Sequence, residues 1–60
     1  MPVITLTISP LDVERKRVLA ADLTRVAAAA TGVPEDKFVV VIDEHPRDSI
    51  ATGGKLLVDL

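Results

Sequence analysis

Lys37-Phe38-Val39-Val40-Val41-Ile42-Asp43 is an unbroken apolar run held between two charged residues. A half-solvated strand alternates in polarity, so a run without a polar break reads as a strand covered on both faces, typically a parallel one. The other strand opens the chain. Pro2-Val3-Ile4-Thr5-Leu6-Thr7-Ile8 alternates with period two, sending Pro2, Ile4, Leu6 and Ile8 one way and Val3, Thr5 and Thr7 the other. Proline is tolerated as the first residue of a strand because it costs no ladder donor there.

A helix fits between them. Ser9-Pro10-Leu11-Asp12 reads as its start, with Ser9 as cap and Pro10 at the first helical position. Asp12 competes as cap and complements the positive helix end, which places the boundary to within about three residues. The helix is expected to reach Thr31 and stop at Gly32. Its inward stripe is expected at Leu19, Leu23, Val26, Ala27 and Ala30. The opposite side, with Glu14, Asp22 and Arg25 among Val18, Ala21, Ala28 and Ala29, carries less charge than a solvated face. Val33-Pro34-Glu35-Asp36 reads as a turn.

Strand, helix, strand gives a single right-handed βαβ unit with parallel strands, an α/β (α+β) fold. One helix covers one face of a two-stranded sheet, so the other face needs a second chain. Glu44 to Leu60 carries a polar turn at His45-Pro46-Arg47-Asp48, a Gly53-Gly54 pair and an apolar tail. It is expected to form a short C-terminal hairpin or arm that packs on a neighbour.

Size leads to the same place. Residues 1–60 allow one domain, and a chain of this length buries only about 60% of its unfolded surface. Disulfides, a metal or oligomerisation usually compensate. With no cysteine and one histidine, oligomerisation is what remains. The chain is 48% hydrophobic yet has one Phe and neither Trp nor Tyr, a composition of small side chains suited to close backbone packing. A net charge of -2 argues against a nucleic-acid partner. No apolar run approaches the ~18–20 residues of a membrane span, and the start lacks the pattern of a signal peptide. The expectation is no membrane partner and a cytoplasmic location.

Few motifs carry chemistry. His45 sits alone beside a proline, where a turn residue is expected rather than a ligand or base. Arg15-Lys16-Arg17 reads as the solvated start of a helix, balanced by Asp12 and Glu14. Thr52-Gly53-Gly54-Lys55 imitates a phosphate loop, but the glycine required five residues before Gly54 is Ser49. No serine, cysteine or paired-carboxylate arrangement suggests nucleophilic or glycosidic chemistry. Pro2 remains. With Met1 removed it would present a secondary amine at the start of a buried strand, while a retained Met1 would turn that amine into an inert amide. An apolar pocket and a nearby cation both disfavour its protonated form and bring it toward the range of a general base.

Met1-Pro2 opening a strand, a helix carrying Lys16 and Leu19, Pro34 in the connection, a strand closing at Glu44 and the Gly53-Gly54 pair together resemble the 4-oxalocrotonate tautomerase family over essentially the whole chain. The resemblance implies a homohexamer, or a heterohexamer of two related chains, built as a trimer of dimers. It implies keto–enol isomerisation of small 2-oxo acids with the Pro2 amine moving the proton and no cofactor. A dehalogenase or decarboxylase on the same scaffold is a close variant, and a catalytically silent, partner-dependent subunit is the alternative from another class. The chain departs from the family at three places. The arginine of the loop after the first strand falls at Leu11 or Asp12, that of the second strand at Val39, and the aromatic residue of the arm at Ile50. Lys37, expected on the same strand face as Val39, or Arg47 in the arm is the candidate replacement for the missing positive charge.

Overall fold

The computed structural model describes Met1–Leu60. Its elements are β1 (Val3–Ile8), α1 (Val13–Thr31), β2 (Val39–Glu44), β3 (Ala51–Thr52) and β4 (Lys55–Leu56). β1 and β2 pair in parallel, in register from Val3 opposite Val39 to Ile8 opposite Glu44. The fold is the βαβ unit with a small C-terminal hairpin.

The caps set the ends of α1. The Asp12 carboxylate accepts the Arg15 amide at 2.7 Å, satisfying one of the free donors of the first turn. The helix therefore begins after Asp12, not at Ser9, and Ser9-Pro10 belongs to the loop. At the other end Gly32 takes a left-handed φ of 78° and donates to the Ala28 carbonyl, as expected of a glycine terminator.

The half-buried stripe of α1 is Lys16, Leu19, Ala20, Leu23, Thr24, Ala27 and Ala28, spaced by threes and fours as one helix face requires. Val26 and Ala30 point outward instead, with Val26 58% exposed, and Ala28 turns inward. The uniform Ala27–Ala30 run gives the two sides no contrast, so the better-anchored leucines decide the angle. This stripe lies over Ile4, Leu6, Ile8, Val40 and Ile42, which are half-buried on one face of the sheet.

The second face, with Val3, Thr5, Thr7, Val39, Val41 and Asp43, is uncovered; Val3 is 54% and Val41 43% exposed. Not one residue of the chain is buried. The radius of gyration, 14.4 Å, exceeds the roughly 10 Å expected of a compact chain of this length. The chain ends in an arm after Glu44. In it, Gly53 and Gly54 (φ 58° and 83°) form a two-residue turn of the kind that suits strand twist, pairing Ala51 with Leu56 and Thr52 with Lys55. No helix is long and apolar enough to cross a membrane.

Candidate active site

Because β1 and β2 are parallel, the residues that precede them share one end of the sheet. The Pro2 carbonyl accepts the Val39 amide at 2.9 Å, one rung ahead of the regular ladder, and this bond fixes Pro2 beside the start of β2. The strand is shorter than the apolar run suggested. Lys37 lies in a single 3-10 turn, Glu35–Lys37, because its amide bonds the Pro34 carbonyl at 3.1 Å and the Phe38 amide bonds the Glu35 carbonyl at 3.1 Å. Lys37 is thus not on a strand face with Val39, yet the turn brings it to the same place.

That place is an open cleft of about 710 Å³ lined by Met1, Pro2, Val33, Asp36, Lys37, Phe38 and Val39. Three of the candidate residues, Pro2, Lys37 and Val39, meet there. Leu11, Asp12, Arg47 and Ile50 do not. They follow the far ends of the strands, and β2 alone separates its two ends by about 17 Å, five steps of about 3.3 Å.

The charges divide in the same way. Of seven lysines and arginines, Arg15 pairs with Asp12, Lys16 with Glu44, Arg17 with Glu14 and Arg25 with Asp22. The Arg47 guanidinium donates to the Leu57 carbonyl at 2.8 Å and straps the arm to itself, while Ile50 accepts the Leu57 amide there. Lys37 and Lys55 are left without a side-chain partner, and only Lys37 lines the cleft.

The far end is a closed network. Glu44 accepts from Lys16 Nζ at 2.7 Å and from the Leu11 amide at 2.9 Å, joining β2 to the loop and to the first turns of α1. The Lys16 hydrogen bond, then the Leu11 amide, hold the Glu44 carboxyl below its ordinary value of 4.5. Lys16 is therefore not one of the solvated helix-start cations. His45 also has partners, its Nε2 lying 3.2 Å from Asp43 and its amide donating to the Ile8 carbonyl.

Sequence reasoning overlooked Asp36, Phe38 and Val33 in the cleft and the Lys16–Glu44 pair. Two signals were available. Whatever immediately precedes the second of two parallel strands lies beside the start of the first, and Lys16 stands three and four residues before Leu19 and Ala20 on the inward stripe.

The family model for tautomerase enzymes matches residues 2–60. The chain belongs to the tautomerase family. It is 41% identical over 46 residues to a probable tautomerase of Bacillus cereus, covering 77% of this chain and 75% of that one. It is 40% identical over 47 residues to the 2-hydroxymuconate tautomerase of Bacillus subtilis, covering 78% and 76%. Among solved structures, the heterohexamer 4-oxalocrotonate tautomerase from Chloroflexus aurantiacus superposes with a TM-score of 0.88 at 31% identity, covering 100% of this chain and 98% of that one. Tautomerase activity, an isomerase chemistry, goes with this family, and in this chain Pro2, next to Met1, lines the cleft that also receives Lys37.

Proposed function

We propose that the protein moves a proton between the keto and enol forms of a small 2-oxo acid, using the Pro2 amine as general base once Met1 is removed. One observation carries this reading: Pro2 is anchored to β2 at the mouth of a cleft whose single basic side chain, Lys37, has no partner of its own. From the enol, the amine would take the hydroxyl proton and deliver it to a carbon of the enol or of the chain conjugated with it, leaving the ketone, while Lys37 holds the substrate carboxylate by a charge-assisted hydrogen bond. Val39 then contributes apolar surface where an arginine would otherwise supply charge. The name of the Bacillus subtilis relative supports the enol of a 2-oxo acid as the reacting group, whatever lies at its distal end. No cofactor enters this proton transfer.

The active form we propose is a hexamer of βαβ-plus-arm domains spanning residues 1–60. The uncovered face of Val3, Val39 and Val41 and the absence of any buried residue support it, as does the heterohexameric neighbour. Ile50 and Arg47 could meet a Pro2 cleft only from another copy, and Arg47 serves to hold the arm in shape.

The test compares the processed protein, a Pro2→Ala variant and a form with Met1 retained on a small 2-hydroxy-dienoate. Retaining Met1 should abolish turnover; equal rates with and without it would leave the reaction with no base. One feature favours a second reading: Leu11, Asp12 and Val39 offer no cation where the family resemblance places arginines. A partner-dependent subunit would co-purify with a related chain and gain activity from it.

A further inference from the structure

We infer that Asp36 makes the Pro2 cleft selective for 2-oxo acids with a single carboxylate and an apolar tail. This rests on the reading of that cleft as the substrate site. Asp36 and Lys37 are consecutive residues of the 3-10 turn, and successive side chains on such a turn point in different directions. They form no ion pair with each other, and neither has another side-chain partner. The side chains of the cleft therefore present one positive and one negative charge separately.

The rest of its lining is Val33, Phe38, Val39 and the amino-terminal Met1-Pro2 pair. Of the side chains in this lining, only Lys37 can meet a substrate carboxylate with a positive charge; the terminal amine beside it is the proposed base. A second carboxylate at the distal end would face either Asp36, where like charges repel, or the apolar wall, where it would lose water without gaining a partner. A hydrocarbon or aromatic tail meets neither cost and covers Val33, Phe38 and Val39.

Recruitment of a second cation is limited by the pairing already described. Arg15, Lys16, Arg17, Arg25 and Arg47 are engaged within the chain. Lys55, on the arm hairpin at the other end of the molecule, is the one free alternative.

The experiment measures kcat and KM of the processed protein on two enols with the same reacting half. One is an aryl enolpyruvate, carrying one carboxylate; the other is 2-hydroxymuconate, carrying two. The aryl compound should be preferred in kcat/KM by about tenfold, the scale of one like-charge contact at a partly solvated site. Asp36→Asn, which keeps the side-chain shape, should bring the ratio close to one, mainly through KM of the dicarboxylate. Competitive binding of unreactive saturated analogues of the two acids reads the same ratio without catalysis. This separates failure of the selectivity from failure of the Pro2 mechanism. A wild-type preference for the dicarboxylate, a binding ratio unmoved by Asp36→Asn, or a dicarboxylate affinity that depends on Lys55 would overturn the inference.

Discussion

The two ends of the parallel sheet are built on opposite electrostatic plans. At the far end Glu44 gathers Lys16 and the Leu11 amide, Asp12 caps α1 and His45 leans on Asp43. At the mouth, Pro2 and Val39 share one backbone bond, while Asp36 and Lys37 stand beside it unpaired. Pairing a charge stabilises the chain that carries it; leaving one free in a cleft keeps it available to something else. The difference separates the end that holds the chain together from the end whose charges are left free, where the substrate is proposed to bind.

Substitution can break this division, and the largest effect should come at the mouth. Pro2→Ala keeps a primary amine at the terminus, so turnover should fall by about 10²–10⁴-fold, the usual worth of a general base, with the melting temperature unchanged. A variant that lost activity and fold together would place Pro2 among the structural residues.

Next come two neighbours on β2 that face opposite ways. Val41→Asp puts an unpaired charge on the uncovered face, and if six chains close over that face, sizing should show smaller species. Val40→Asp puts the charge beneath α1 and should unfold the chain, each costing several kcal/mol. A Val41→Asp protein that sized like the wild type would show that this face has no partner.

Lys37→Ala should weaken a carboxylate inhibitor by about 1.5–3 kcal/mol, the value of a hydrogen bond to a charged group, without changing thermal stability. An unchanged inhibition constant would take the carboxylate contact away from the mouth of this chain.

The smallest effect belongs to the far end. Glu44→Gln should lower the melting temperature modestly and leave kcat alone. Because the folded pKa of Glu44 lies below 4.5, its stabilisation is present above 4.5 and disappears as the pH falls through the lowered folded value. The gap in melting temperature between wild type and Glu44→Gln should therefore close in acid. A gap that persisted there would mean the ion pair is not its source.

The strands, the helix end at Gly32 and the unmet face of the sheet could be read from periodicity and a single glycine. The meeting of Pro2, Lys37 and Val39 was legible too, since parallel strands bring their starts together. What escaped depended on contacts between distant residues. Lys16 looks like a surface cation until Glu44, 28 residues later, is seen beside it. The inward angle of α1 was misread at Val26 and Ala30 because four successive alanines carry no angular information. Asp36 went unremarked because a turn acid is ordinary until the cleft beside it is known.

The absence of any buried residue has a consequence for mass action. A chain that completes its core only against other chains has one equilibrium for folding and association, so its melting temperature rises with protein concentration. Each tenfold dilution weighs against every association step by about 1.4 kcal/mol. Specific activity should then decline in dilute solution without any denaturant, and the amount of protein a cell makes would itself decide how much of it is folded.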